Sequence, residues 1–219
     1  MRTLIISAHA DDGEVSAGGV INQMIKNGFE VHYVAFSIAE DSVPEGFEKD
    51  IVDAECREAT KALGIPPENV KIYRFPVRNF SYHRQEILDE LIKIRKSINP
   101  QICFTPSTTD IHQDHTVISN ETIRAFQRSA SIYGYDFPWN VLYTPKLNLF
   151  YELSEENLSI KISALQQYKS QLVKQNNCLT EEYIRALALV RGNMIGVKYA
   201  EAFESIREIK RLPSSLVSD

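Results

Sequence analysis

The chain has 219 residues, 43% of them hydrophobic and 24% charged, and a formal net charge of −5. This length can bury one α/β core without covalent cross-links, and the negative balance excludes partners held by bulk positive charge, namely nucleic acid and anionic membrane surfaces. Cys56, Cys103 and Cys178 form no C-x-x-C pair, which argues against a disulfide framework or a cysteine zinc site and fits a reducing compartment.

In chain order, strand-like and helix-like segments alternate. Thr3–Ser7 is a short, β-branched apolar run suited to a strand buried on both faces. It is too short for a signal-peptide core or a membrane span, so a cytoplasmic protein without integral membrane contact is expected. The polar stretch His9–Glu14 follows, and Gly18-Gly19-Val20-Ile21 leads into a helix that stops near Lys26-Asn27-Gly28. Glu30–Phe36 is the second strand, and Ser42–Lys49, with Pro44 and Gly46, is an exposed loop. Ile51–Leu63 has helical spacing and ends at Gly64-Ile65-Pro66-Pro67. Val70–Phe75 is a third strand, Arg84–Ser97 an amphipathic helix closed by Asn99-Pro100, and Ile102–Thr105 a fourth strand.

A second polar stretch, Asp110–His115, precedes a helix from Thr116 to Arg128. Past Ile132 the pattern loosens. Val141–Thr144 and Leu147–Tyr151 read as strands, and Asn157–Leu172 and Glu181–Met194 as helices. The alternation predicts a Rossmann-like α/β fold of three layers, its mainly parallel sheet joined by right-handed crossovers. No repeat, linker or composition break divides the chain, so residues 1–219 are expected to form a single domain whose last few residues are a flexible tail.

In open parallel sheets ligands bind beyond the carboxyl ends of the strands, and both polar stretches fall there. His9-Ala10-Asp11-Asp12 follows the first strand; His112-Gln113-Asp114-His115 follows the fourth. Three of the five histidines stand in these two motifs, each motif rich in aspartate. Either motif alone is as consistent with a polar helix cap. Together, at neighbouring strand ends, two histidines and an aspartate would supply a catalytic zinc site with a position left for water.

The run from His9 through Gly18-Gly19 resembles the first motif of the PIG-L/LmbE-like zinc N-deacetylases, and His112–His115 the second. Lys169-Ser170-Gln171 and the stretch from Arg191-Gly192 to Phe203 are similar to later segments of that family, so the likeness spans almost the whole chain. Ala10 and Gly13 stand where the family commonly has proline and glutamate, with Glu14 one position later. Val52 stands where an arginine often opens a helix, and no substrate contact transfers to the nearby Arg57.

The resemblance implies that His9, Asp12 and His115 bind Zn2+, with Fe2+, Co2+ or manganese as other metals the ligands suit. Asp11 would be the general base. His112 would stabilise the oxyanion or protonate the leaving amine, and Asp114 would orient His112 or, alternatively, His115. The substrate class implied is a small-molecule N-acetylated sugar or sugar conjugate of the N-acetylglucosamine type. Self-assembly into a homo-oligomer is left open by the same likeness.

Two other readings compete: a metallohydrolase of another bond type, and a non-catalytic Rossmann-like module binding a sugar or nucleotide. The motifs hold no basic clamp for a phosphoryl group, and Asp11 is retained beside all three ligands, which disfavours both. His32 and His83 read as surface and cap residues. Gly18-Gly19 lacks the G-x-G-x-x-G spacing of a dinucleotide site and reads as close packing. The loop around Trp139, the only tryptophan, offers either a sugar-stacking face or a hydrophobic plug or subunit contact.

Overall fold

The computed structural model describes residues 1–143, 146–174 and 178–210. Its centre is a seven-stranded sheet of order β3-β2-β1-β4-β5-β7-β6. The strands are β1 (Arg2–His9), β2 (Glu30–Ser37), β3 (Val70–Ile72), β4 (Ile102–Pro106), β5 (Ser131–Tyr135), β6 (Leu149–Glu152) and β7 (Ala200–Arg207). The first five run parallel, and β7 lies antiparallel to both β5 and β6. Helices α1 (Asp12–Lys26), α2 (Ile51–Leu63), α3 (Arg84–Ile98), α4 (Gln113–Phe126), α5 (Glu155–Leu165), α6 (Lys169–Leu172) and α7 (Glu181–Asn193) complete the chain.

One core, built around Ile5, Tyr33 and Phe104, packs one face of the sheet against α1, α2 and α5; the other, around Leu4, Ile6, Val34 and Cys103, packs the opposite face against α3 and α4. Successive residues of β1 thus feed opposite cores, as the pleat of a doubly covered strand requires. The expected three-layer α/β architecture is what the chain adopts. No helix among the described residues is long and apolar enough to cross a membrane.

Four local expectations are corrected. Helix α1 begins at Asp12, not near Gly18, because the chain turns at Asp11 and places Asp12 and Glu14 in the first turn, where the helix dipole favours carboxylates. Helix α4 likewise begins at Gln113 and takes Asp114 and His115 into its first turn. The helix expected over Asn157–Leu172 is two helices: Tyr168 takes a non-helical conformation between them, and no glycine or proline marks the break. Val141 makes an isolated bridge to Asp110 instead of opening a strand; Thr144 and the expected C-terminal tail beyond residue 210 lie outside the described residues.

Strands β5 and β7 had no counterpart in the sequence reading. The segment of β7, Ala200–Arg207, alternates alanine and glutamate before its apolar residues, a composition poor in strand formers. Its tertiary anchor supplies what propensity does not. Glu201 accepts the backbone N–H groups of Gly19 (3.1 Å) and Val20 (2.8 Å) and pairs with Lys161 Nζ at 2.6 Å, fully inside the protein.

Gly19 permits that approach, since a Cβ there would stand 2.5 Å from a methyl of Leu153. Gly18 and Gly19 thus serve close packing, at mid-helix. A harder constraint falls on Gly192, where a Cβ would meet backbone atoms of Lys198 and Tyr199 at 2.6–2.7 Å. Backbone cannot rotate aside as a side chain can. Gly192→Ala is expected to destabilise the fold by about 1–3 kcal/mol, the usual cost of overpacking; urea unfolding of the two proteins measures it.

Candidate metal centre and active-site cleft

Strands β1 and β4 are neighbours, and the chain leaves them in opposite directions across the sheet, so their carboxyl ends open at the switch point of the topology. His9 is the last residue of β1, and Asp11 and Asp12 the turn into α1; Asp110, His112, Asp114 and His115 come from the loop after β4 and the start of α4. The two motifs therefore meet at one place, as their positions after strands predict.

His9 Nδ1, His115 Nε2 and Asp12 Oδ2 form a triangle with sides of 3.2, 3.5 and 3.8 Å. Ligand bonds of about 2.0–2.2 Å in tetrahedral geometry require donor separations of about 3.3–3.6 Å, so the triangle is of the right size for a small divalent cation. Among the described residues, His9, His112 and His115 are also a group whose ligand atoms lie within 4.8 Å of one another. The His112 ring stands 5.0 Å from that of His9 and 4.6 Å from that of His115.

The outer nitrogens of the histidines show why the triangle wants a cation. His9 Nε2 lies 2.9 Å from Asp114 Oδ2, and His115 Nδ1 lies 2.8 Å from Asp110 Oδ2. Each carboxylate accepts the ring N–H and leaves the inner nitrogen as a lone pair. Two inward nitrogens and the Asp12 oxygen, which also accepts the backbone N–H of His9 at 2.8 Å, then face one point, a donor set that suits a divalent cation. Carboxylate–imidazole pairs of this kind fix ligand orientation around metals.

The Asp114 carboxylate, expected beside His112 or His115, stands against His9. It also accepts the backbone N–H groups of Arg78 (2.6 Å) and Phe80 (3.3 Å). Burial raises its pKa, but these hydrogen bonds outweigh burial and hold the carboxyl below the ordinary range. The partner of His115, Asp110, was not singled out from the sequence. Its signal is local: acids alternate with histidines through Asp110, His112, Asp114 and His115.

Asp11 occupies a left-handed conformation, φ 100°, uncommon for a residue with a side chain. Burial first, then the charges of Asp12 and Glu14, push its carboxyl well above the usual range. His112 lies on the same cleft. Its Nδ1 accepts the backbone N–H of Asp114 at 3.2 Å, and burial with the neighbouring His115 and His9 lowers its pKa. With Nδ1 engaged as an acceptor, Nε2 is the ring nitrogen left to donate. His115 is opposed by burial, yet Asp12 and Asp110 raise its pKa.

Under the site, Glu14 accepts hydrogen bonds from Tyr33 (2.5 Å) and Tyr168 (2.7 Å), and burial raises its pKa to about 7. Glu55 on α2 accepts the N–H (2.8 Å) and hydroxyl (2.6 Å) of Ser170. That bond explains the Lys169-Ser170-Gln171 segment, since it seats α6 so that Gln171 and Lys174 line the cleft. His32 pairs with Glu30 and His83 with Glu86, His83 standing at the N-terminal cap position of α3 as expected. Arg57 is exposed and held by Asp53.

The cleft has two lobes that share His9, Asp11 and His112. One, of about 520 Å³, is walled by Val15, Phe137, Trp139 and Leu179; the other, of about 540 Å³, by Ile38, Ser42, Val52, Gln171 and Lys174. Trp139 is half-exposed, its ring 5.2 Å from that of Phe137, which in turn lies 5.2 Å from His115.

A three-layer α/β fold with a histidine–aspartate centre at its switch point defines a metallohydrolase-like architecture. Residues 4–126 match the PIG-L family, described as GlcNAc-PI de-N-acetylase, and the chain belongs to that family. It is similar to the diacetylchitobiose deacetylase of Thermococcus kodakarensis, 26% identical over 227 aligned residues that cover 94% of this chain and 83% of the relative. Among solved structures, the N,N'-diacetylchitobiose deacetylase of Pyrococcus horikoshii shares the fold with a TM-score of 0.76 at 22% identity, covering 93% of this chain and 82% of that one. GalB, the 4-carboxy-2-hydroxymuconate hydratase of Pseudomonas putida, does so with a TM-score of 0.75 at 20% identity over 97% of this chain and 100% of its own. The fold therefore hosts more than one reaction, and activity is decided by the site.

Proposed function

We propose that this chain, as one domain, is a zinc-dependent N-deacetylase that hydrolyses the acetamide of an N-acetylated sugar or sugar conjugate. The observation that carries this is the His9–Asp12–His115 triangle with Asp11 and His112 on the same cleft. Membership of a de-N-acetylase family and the deacetylases among its relatives support the same reading.

His9, Asp12 and His115 hold the metal, which when bound lowers the pKa of water and polarises the amide carbonyl. Asp114 and Asp110 keep the two imidazoles turned inward. Asp11, on the cleft beside Asp12, takes the proton from the attacking water. His112, whose Nδ1 is engaged as an acceptor, donates from Nε2 to the oxyanion that develops on the carbonyl oxygen. Asp11 then returns its proton to the departing amine, so the atoms and charges balance without a second acid.

The test couples metal content to chemistry. Wild-type protein is expected to carry one zinc per chain and to release amine from N-acetylglucosamine conjugates, and chelation should remove both until zinc is restored. Zinc without amine release from any N-acyl sugar would overturn the reaction assigned here while leaving the centre.

A further inference from the structure

Between β4 and α4 the chain has six residues, 107–112, in which to leave the sheet and bring Asp110, His112 and then His115 to the centre. A loop this short has no room for a core of its own, so its shape is set by where its polar groups bond. Each of its backbone N–H groups has an acceptor. Ser107 donates to the carbonyl of Tyr135 (2.7 Å), Thr109 to the hydroxyl of Ser107 (3.3 Å) and Asp110 to the carbonyl of Ser107 (3.3 Å). Ile111 donates to the carbonyl of Asn140 (2.9 Å) and His112 to the carboxylate of Asp110 (2.8 Å). The sixth, Thr108, donates to Glu204 on β7 at 3.0 Å.

Glu204 comes from two strands away. It stands opposite Gly134 on β5, and Gly134 in turn lies beside Thr105 on β4. To reach the loop its side chain crosses β5 over that glycine. A Cβ at position 134 would stand 3.2 Å from Glu204 Oε2 and 3.0 Å from the Cα of Ser107. This accounts for a glycine in the middle of a buried strand, where it otherwise weakens the sheet.

The Glu204 carboxylate collects three donors. Beside the N–H of Thr108 it accepts the hydroxyls of Ser107 (2.8 Å) and Thr108 (2.7 Å). An ionised carboxylate only accepts, so the Ser107 hydroxyl gives its hydrogen to Glu204. Its lone pairs are then left for the hydroxyl (3.0 Å) and N–H of Thr109. One charge thus sets the direction of the side-chain hydrogen bonds in the first half of the loop. The second half begins with Asp110, whose N–H is bonded to Ser107 and whose carboxylate stands 2.8 Å from His115 Nδ1.

We propose that Glu204 is a positioning residue of the metal centre: by latching Ser107 and Thr108 to β7 it sets Asp110, and through Asp110 the imidazole of His115. Glu204 itself lines neither lobe of the cleft and acts only through the loop. The assignment rests on the reading of His115 as a metal ligand.

The experiment compares wild-type protein with Glu204→Gln and Glu204→Ala, melting temperatures establishing that each is folded. Zinc affinity, read by competition with a chromogenic chelator, is expected to fall about three- to tenfold in the alanine protein, less than for loss of a ligand's direct partner. Glutamine keeps the length and one acceptor oxygen and should recover part of the loss. In Asp110→Asn protein the same Glu204→Ala change should cost nothing further, because the link it acts through is already cut. Wild-type affinity in Glu204→Ala, or its full loss repeated on top of Asp110→Asn, would overturn the latch.

Amide hydrogen exchange needs no metal. In chelator-stripped protein, Glu204→Ala should exchange faster at Thr108, Asp110 and His112 and at the wild-type rate along β1. Faster exchange confined to the loop, in proteins none of which binds zinc, would keep the latch on Asp110 and sink the metal reading. Unchanged exchange in the loop would sink the latch whatever the zinc content.

Discussion

Asp11→Asn protein is expected to keep its zinc and to lose about 10²- to 10⁴-fold in turnover, the contribution of a positioned general base. Asparagine is the replacement that isolates the effect. Asp11 sits at φ 100° between β1 and α1, and asparagine tolerates positive φ far better than alanine does. An alanine there would add backbone strain next to Asp12 and confuse loss of a base with displacement of a ligand. The amide also preserves the volume of the carboxylate among Asp12 and Glu14 while removing the proton acceptor. KM should change little, because the lost interaction belongs to the transition state. An Asp11→Asn protein with near-normal kcat and full zinc occupancy would move the base elsewhere on the cleft.

What the sequence disclosed about this site follows from which contacts are local. His9, Asp11 and Asp12 are consecutive or nearly so after an apolar run, and His112 to His115 likewise, so residue type and strand-end position suffice to find them. The pairing between the motifs was not legible in the same way. Asp114 reaches His9 because β1 and β4 are adjacent, with Ile5 beside Phe104, a fact of register and not of spacing. The same holds for Glu14, whose two tyrosine partners come from β2 and from the break between α5 and α6.

For the fold, the doubly buried strands β1 and β4 announced themselves by apolar runs, whereas β5, equally buried, is interrupted by Gly134. Strand β7 did not, since Glu201 is held there by Lys161 and the N–H groups of α1, partners that no local pattern reveals. The double glycine in α1 has the same cause: it records the approach of Lys161 on α5 to Gly18 and of Leu153 and Glu201 to Gly19, and its place at mid-helix could be read only once those neighbours were known.

His115→Ala and Asp110→Asn separate holding a metal from orienting its holder. Removing the His115 imidazole leaves only His9 and Asp12 of the proposed ligand set, so bound zinc and amine release should vanish together and excess metal should not restore them. Asp110→Asn leaves all three donors in place and weakens only the grip on His115 Nδ1, now 2.8 Å from the carboxylate. Loss of such a partner costs about 10–100-fold in metal affinity or activity, so this protein should bind zinc more weakly and recover turnover as zinc is raised. Burial lowers the pKa of His115 while Asp12 and Asp110 raise it; without the Asp110 charge the imidazole is less basic and a poorer donor. Competition with a chromogenic chelator gives the affinities, and amine release at each zinc concentration gives the recovery. An unchanged zinc affinity in His115→Ala would remove His115 from the centre, and an Asp110→Asn protein that saturates with zinc yet stays inactive would make Asp110 more than an orienting group.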